Sequence, residues 1–284
     1  MNIKAIALDM DGTLLNDENK VDEHLVKLIG KIRSRDIRVF IATGRTKLEI
    51  NDVLPDDLHV DGFVTANGMS CYTNTKAIVQ HTLQAELLKD VVSRAREKNL
   101  YYEIHPKDGI RFAKAEDRAY LEAEVNKTRP DTLLNNEYKA RQDAIRENIN
   151  WVENLTFENI VKVYFFSMNP ESIDDWKNTL YQIKKQTDFS LSSSSLHNVE
   201  IMVSNVSKAT ALNMLLQEYD ISNENLMVVG DGENDLPMFE LAAYSVAMQN
   251  AEEVVKEKAD EVTIYTYREN GLYEYLARKF KEKA

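Results

Sequence analysis

The sequence has a single cysteine, Cys71, among 284 residues. An internal disulfide is therefore excluded, and so is a zinc site built on several thiolates. Histidine is scarce as well. His24, His59, His81, His105 and His197 are scattered, and no pair has HExxH or HxxxH spacing, which argues against a histidine-rich zinc centre. No apolar run approaches the ~18 residues that a membrane-spanning helix needs. The first stretch, MNIKAIALDMDGT, meets an acid pair by position 9, whereas a secretory signal carries a longer apolar run and a small-residue cleavage site. These absences lead us to expect a soluble protein of a reducing, cytoplasmic compartment. A basic excess is missing too: 35 Lys and Arg face 47 Asp and Glu, a net charge of −12. A nucleic-acid binder needs a basic face to displace counterions, so the charge argues against that class. Small phosphorylated ligands are not, because a bound cation can supply the positive charge.

What is present is ordinary globular composition, 43% apolar and 29% charged, in a length that suits one or two domains. Residues 3–8 (IKAIAL), Arg38–Ala42 (RVFIA) and Gly62–Ala66 (GFVTA) are short apolar runs without a helical stripe. Between the first two, residues 21–34 place Leu25, Leu28, Ile29 and Ile32 at helical spacing. The same texture returns late. Residues 207–219 read as a helix capped by Ser207, Leu226–Val229 (LMVV) as a buried strand, Asp235–Ala242 as a short helix, and Leu272–Phe280 as a terminal helix. Tyr244–Met248 and Glu261–Ile264 are shorter strand candidates. Buried runs alternating with amphipathic helices predict βαβ units and a parallel sheet.

The middle of the chain reads differently. A helix at 85–98 precedes a hairpin, Tyr101–His105 and Ile110–Ala113, turning at Lys107-Asp108-Gly109. Charged helical stretches at 116–126 and 138–149, a long strand Ile160–Met168, a helix at 171–186 and strands at 189–195 and 198–203 follow. These strands are expected to be antiparallel and one-sided, because apolar and polar residues alternate in VEIMV. Residues 1–83 and 205–284 carry a net charge of −9, and 84–204 carry −3. We expect an α/β core, 1–83 with 205–284, interrupted by an inserted α+β domain, 84–204, with hinges near 82–85 and 203–206.

The chemistry-bearing residues cluster at predicted strand ends. Asp9-Met10-Asp11-Gly12-Thr13 follows the first apolar run. Ligands of open parallel sheets bind beyond the carboxyl ends of the strands, and acids at i and i+2 of an extended stretch point the same way. Such a pair splits its proton affinities, so that one acid keeps a proton while the other attacks. Standing alone, it could equally be an acidic turn. It has company: Thr43-Gly44-Arg45 after the second run, Asn67-Gly68 after the third, Lys208 at a helix start, and Gly230-Asp231-Gly232-Glu233-Asn234-Asp235 after a fully apolar strand. Oxygen donors without His or Cys favour Mg²⁺.

The ordered set DMDGT, TGR, NG, SK and GDGEND resembles the haloacid dehalogenase (HAD) superfamily of phosphotransferases. The insert after Asn67-Gly68 resembles a type 2B cap, and the chain as a whole is similar to the Cof-like sugar-phosphate phosphatases. The resemblance implies a Rossmann-like HAD core with a cap, Mg²⁺ as cofactor, and hydrolysis of small phosphomonoesters, foremost hexose or pentose phosphates. By position, Asp9 matches the nucleophile that forms an aspartyl-phosphate, and Asp11 the general acid/base. Asp9, the backbone carbonyl of Asp11, and Asp231 match the metal ligands, with Asp235 supporting the metal site. Thr43 and Lys208 match phosphate-holding residues, and Gly44, Arg45 and Asn67 lie in the stretches beside the substrate. Asn234 matches a residue that contacts phosphate or orients Lys208. Partners implied are a small phosphorylated metabolite, no nucleic acid and no membrane, with the chain a monomer or weak homodimer.

The sequence departs from the family pattern at Lys208-Ala209 (often Lys-Gly), at Asn205 (often Gly), at Gln249 beside Asn250 (often Gly) and at Asn67-Gly68-Met69 (often Asn-Gly-Ala). No catalytic group is lost, so these bear on substrate fit. Alternatives are a phosphomutase of the same fold, a phosphatase for flavin mononucleotide or pyridoxal phosphate, and a non-catalytic sugar-phosphate sensor. Tyr101, Tyr102, His105 and Arg111 are read as strand residues of the insert, Trp151 and Trp176 as helix-face residues, and Cys71 as a small buried residue.

Overall fold

The structure, a computed structural model, describes residues 2–280 apart from the side chain of Asn136. Its contacts divide the chain into two units. The core unit runs up to Val79 and resumes at Val206, and the inserted unit is Gln80–Asn205. The first crossing lies four residues before the expected position between 83 and 84, the second one residue after that expected between 204 and 205. The cause of the first shift is local: the Leu83 N–H donates to the Ile160 carbonyl at 2.8 Å and ties residue 83 to the inserted unit's sheet. At the second crossing Asn205 adopts a left-handed backbone, φ 59°, which Asn tolerates better than most residues.

The core unit opens with β1 (Ala5–Leu8), helix α1 (Glu23–Arg33), β2 (Arg38–Ala42), α2 (Lys47–Asn51), β3 (Gly62–Thr65), β4 (Ser70–Thr73) and β5 (Ala77–Gln80). The inserted unit supplies α3 (Ala85–Glu97), β6 (Tyr101–Pro106), β7 (Phe112–Lys114), α4 (Arg118–Val125), α5 (Asn135–Asp143), β8 (Asn150–Val152), β9 (Ile160–Phe166), α6 (Pro170–Lys184), β10 (Ser190–Ser192) and β11 (Asn198–Met202). The core then resumes with α7 (Lys208–Glu218), β12 (Leu226–Gly230), α8 (Leu236–Leu241), β13 (Tyr244–Ala247), α9 (Glu253–Lys256), β14 (Glu261–Val262) and α10 (Gly271–Lys279).

The core sheet has the order β14-β13-β12-β1-β2-β3-β4-β5. From β14 to β3 neighbouring strands are parallel, and β4 returns antiparallel to β3. Alternation along each strand feeds two apolar layers. Ile6 and Leu8 join Ile41, Val229 and Val246 under α1 and α10. Ala5 and Ala7 face the other way, with Phe40, Val64 and Val228, against Leu212 and Leu215 of α7 and Met238 of α8. Gly62 of β3 leaves room for α7, the helix that begins with Lys208: a Cβ added there would lie 2.7 Å from Leu215 Cδ2. The sequence reading anticipated β1, β2, β3, β12, β13 and β14 but not β4 and β5, whose residues carry no long apolar run.

In the inserted unit the sheet order is β10-β11-β9-β6-β7-β8. The strands expected from the sequence pair antiparallel. In addition β7 pairs in parallel with β8, a strand the sequence reading did not anticipate; the direction arises because the helical segment α4–α5 carries the chain back before β8 begins. One expectation is corrected: the polar face is not a solvent face. Glu103, His105, Lys162 and Glu200 are all buried. Their charges are met locally: Arg111 and Arg141 both bond Glu103, and Lys162 pairs with Glu200 at 3.3 Å. Trp176 of α6 lies against Phe165, with ring centroids 5.1 Å apart. Trp151, expected on a helix face, stands instead in β8, with the Arg118 guanidinium 5.2 Å from its ring centroid.

Candidate active site

The five polar stretches singled out above all lie in the core unit, immediately beyond the carboxyl ends of β1, β2, β3 and β12 and at the start of α7. Strand order makes them neighbours, since β12, β1, β2 and β3 are adjacent. Asp9 follows β1 and is buried, its N–H donating to the Val229 carbonyl at 2.9 Å. The chain then makes a wide turn, Met10–Leu14, in which Asp11 is extended and Gly12 is left-handed at φ 80°. A Cβ built on Gly12 would lie 2.1 Å from Asp231 Oδ2. Glycine is required there twice over, for its backbone angle and for the close approach of Asp231.

Lys208 is the first residue of α7, behind the Ser207 cap, and its side chain is fully buried. Its Nζ donates to Asp9 Oδ1 and to Asp235 Oδ1, each at 2.6 Å. Asp235 in turn accepts the N–H groups of Asp231 (2.9 Å) and Gly232 (3.0 Å) on Oδ2. With one oxygen on the ammonium and the other on the backbone, Asp235 sets the position of Lys208 and the turn that carries Asp231. This corrects one reading of Asn234. Its Nδ2 donates to Asn67 Oδ1 at 3.1 Å, and the residue that orients Lys208 is Asp235, whose side chain reaches the ammonium from the same turn.

Asp9, Asp231 and Asp235 bring ligand oxygens within 4.8 Å of one another. Three carboxylates against one ammonium leave an excess of two negative charges. The electrostatics register this. Burial, with repulsion from Asp235 and Asp11, pushes the Asp9 carboxyl up to about 7 despite Lys208. Burial, with Asp9 and Asp235, holds Asp231 well above the usual carboxylate range. For Lys208 burial works against the charged form, but Asp235 and Asp9 outweigh it and hold the ammonium above its ordinary value. A buried, all-oxygen cluster short of positive charge fits a hard divalent cation.

The Asp11 carboxylate is not part of that cluster. Arg45 grips it with Nε to Oδ2 at 2.9 Å and Nη2 to Oδ1 at 2.6 Å. Burial alone would raise this carboxyl, yet the Arg45 guanidinium prevails and holds it below its usual value. Thr43 is fully buried at the end of β2, its Oγ1 accepting the Arg45 N–H at 3.1 Å. After β3, Ala66, Asn67 and Gly68 all have positive φ, 47°, 55° and 102°. A left-handed alanine is strained by roughly 1–3 kcal/mol, and the Asn67 N–H bonded to the Thr43 carbonyl (3.0 Å) helps to hold the turn. Gly44 lies beside it, where an added Cβ would be 3.2 Å from Asn67 Nδ2.

Two residues of the site escaped the sequence reading. Asn250, noted only as the neighbour of Gln249, donates from Nδ2 to Asp231 Oδ2 and to the Gly12 carbonyl, both at 3.0 Å. Its Oδ1 accepts the Tyr267 N–H at 3.1 Å, which fixes the orientation of the amide. The signal was available: Asn250 lies three residues beyond the end of β13, next to β12, whose end carries Asp231. Thr13, quoted within DMDGT but given no role, has its Oγ1 3.3 Å from Asp231 Oδ1. Cys71 is buried, and desolvation pushes its thiol up to about 12, so it is no nucleophile.

Comparison with known proteins agrees with this architecture. Residues 6–276 match the family of haloacid dehalogenase-like hydrolases. The 5-amino-6-(5-phospho-D-ribitylamino)uracil phosphatase YwtE of Bacillus subtilis is 31% identical over 284 residues, covering 96% of this chain and 97% of that protein. A phosphatase of the same organism, YwpJ, is 29% identical over 286 residues, covering 95% of this chain and 97% of that protein. Among solved structures, a haloacid dehalogenase-like hydrolase from B. subtilis superposes with a TM-score of 0.81 at 26% identity, covering 99% of this chain and 100% of that one. The chain belongs to the haloacid dehalogenase-like hydrolases. Within that class it is an enzyme of the phosphatase kind. Among the described residues no helix is long and apolar enough to cross a membrane.

Proposed function

We propose that this phosphatase is Mg²⁺-dependent, works through an aspartyl-phosphate on Asp9, and hydrolyses small phosphomonoesters of sugars or sugar alcohols. The observation that carries the reading is Lys208 clamped between Asp9 and Asp235 beside Asp231. A nucleophile, a buried cation and a charge-deficient carboxylate cluster meet where a parallel sheet receives its ligands.

Asp9 Oδ attacks phosphorus, the ester P–O bond breaks, and the departing alkoxide takes a proton from Asp11. Water then attacks the acyl phosphate. Asp11 takes its proton, the bond from phosphorus to Asp9 breaks, and inorganic phosphate leaves. Arg45 holds Asp11 ionised in the free protein, which is the form the second step needs. An arriving phosphate dianion raises the proton affinity of Asp11 and supplies the acid form for the first. Lys208 offsets charge on the transferring phosphoryl group, and Thr43, Gly44, Asn67 and Asn234 line its oxygens and the adjoining substrate. Mg²⁺ would be held by Asp9, Asp231 and the Asp11 carbonyl, with Asp235 in support, and when bound it would neutralise phosphoryl charge.

We read the inserted unit, Gln80–Asn205, as a type 2B cap that selects the leaving group. The ribityl phosphate in the name of the 31% identical relative supports a sugar-like alcohol. It also keeps flavin mononucleotide, another ribityl phosphate, as a second reading. The single buried Cys71 suits the cytoplasm.

The test is phosphate release from an aryl phosphate and from a panel of hexose, pentose and ribityl phosphates, with Mg²⁺ and with EDTA. Release that needs Mg²⁺ and vanishes in Asp9→Asn is expected. Release unaffected by EDTA or retained in Asp9→Asn would overturn the mechanism. Stimulation of isomer interconversion by an added sugar bisphosphate would point to a mutase instead.

A further inference from the structure

The residues between the wide turn and α1 form a loop that closes on itself. The Asn16 side-chain oxygen accepts the N–H groups of Glu18 (2.9 Å) and Lys20 (3.0 Å), and the Asn16 N–H donates to the Lys20 carbonyl at 2.9 Å. From the far side, Tyr267 donates its hydroxyl to Asp17 at 2.7 Å, and Arg268 pairs with Asp17 at 2.9 Å. The loop is therefore braced at both flanks. At its tip stands Asn19, left-handed at φ 58°, with its N–H on the Asn16 carbonyl at 3.0 Å. Asn19 Oδ1 accepts a hydrogen bond from Arg45 Nη2 at 3.1 Å.

That same Nη2 bonds Asp11 Oδ1, while Nε bonds Asp11 Oδ2. A guanidinium offers its Nε–H and one Nη–H as a fork to a carboxylate, and the second hydrogen of that Nη points away from the fork. Asn19 takes this second hydrogen. Three acceptor oxygens on two adjoining edges of the guanidinium define its plane, and the plane of the fork defines that of the Asp11 carboxylate. The constraint matters because the Asp11 side chain is 42% exposed, so it is not fixed by close packing alone. We propose that Asn19 is a positioning residue: it orients Arg45 and, through Arg45, holds the Asp11 carboxylate in line with the leaving oxygen. This rests on the reading of Asp11 as acid/base.

The test exploits leaving groups. The aryloxide of an aryl phosphate departs without a proton, whereas the alkoxide of an alkyl phosphate needs one, and kcat/KM reports that first step. In Asn19→Gly the left-handed backbone is kept and the acceptor is lost. We expect kcat/KM for a hexose phosphate to fall about tenfold, that for an aryl phosphate to change less than about twofold, and Tm to hold. Asn19→Asp keeps both acceptor and backbone preference and should recover most of the loss. An equal fall for both esters, or no fall for either, would overturn the inference. Asp11→Asn, assayed on the same two esters, separates the two levels. If it spares the aryl ester and Asn19→Gly does not discriminate, only the positioning role fails. If Asp11→Asn itself does not discriminate, the acid/base reading fails and the positioning role with it.

Discussion

Lys208 and Asp235 meet at 2.6 Å with both side chains wholly out of solvent. Their pairing places the ammonium against Asp9, the proposed nucleophile, 2.6 Å away on the other side. Removing one partner from a buried ion pair leaves the other uncompensated, at a cost of about 3–5 kcal/mol. Lys208→Met should therefore lower thermal stability in EDTA and reduce phosphate release at least about a hundredfold. Mg²⁺ should restore part of the stability and none of the activity. Thermal melts and turnover on one preparation decide it, and an unchanged melt in EDTA would count against the pairing.

Asp231 supplies the opposite case. Burial, Asp9 and Asp235 raise its carboxyl well above the usual range. A carboxyl raised on folding costs stability once the pH exceeds its unfolded value of about 3.9, because the unfolded chain releases the proton more readily. Asp231→Asn removes that cost. In EDTA at pH 8 the variant should melt higher than the parent by at least about 2 °C, and the gain should shrink as the pH is lowered toward 4. Its Mg²⁺-dependent rise in Tm should be lost. A lower melting point at pH 8 would mean that the Thr13 and Asn250 bonds outweigh the repulsion.

Asn250 touches no reacting atom, yet it holds Asp231 and the Gly12 carbonyl together. Groups that orient metal ligands typically contribute 10–100-fold to affinity, and Asn250→Ala should weaken Mg²⁺ binding by about that factor. Titration calorimetry of Mg²⁺ into substrate-free enzyme measures this directly. An affinity within about twofold of the parent would assign Asn250 to the loop alone.

Asp61, far from the chemistry, makes a pH-dependent brace. Arg33 reaches it at 2.9 and 3.0 Å, Arg38 at 2.9 Å, and the Val39 N–H at 3.0 Å. Burial opposes its ionisation, but these partners prevail and hold its carboxyl below the ordinary value. A depressed carboxyl contributes stability that is full above its unfolded pKa of about 3.9 and is lost as the pH falls through its folded one. Asp61→Asn should cost about 1–3 kcal/mol between pH 5 and 8, and the gap to the parent should begin to narrow below about pH 4 and keep narrowing as the pH falls through the folded value. Denaturant melts extended into acid test it, and a gap that does not narrow below about pH 4 would contradict the assignment.

Much of the site was legible because its signals are local. An acid pair, a Thr-Gly-Arg, an Asn-Gly and a Gly-Asp-Gly each follow an apolar run, and a run of that length followed by small polar residues is a strand end whatever surrounds it. The spacing of Leu25, Ile29 and Ile32 was likewise enough for α1, which the structure places at Glu23–Arg33. The β7–β8 pairing was not legible, because three-residue strands carry too little pattern to show their direction.

By itself, then, the sequence determined which polar stretches stand at strand ends, since that follows from patterns within a few residues. Only the tertiary structure decided the partners. Whether Lys208 is a solvated lysine or a buried clamp depends on α7 packing on β3 and β4 so that Lys208 reaches Asp9, 199 positions away. Whether Asn250 steadies Asp231 depends on β13 lying beside β12. Hydrogen bonds and charges act over a few ångströms of space, and strand order, not distance along the chain, sets which side chains come that close.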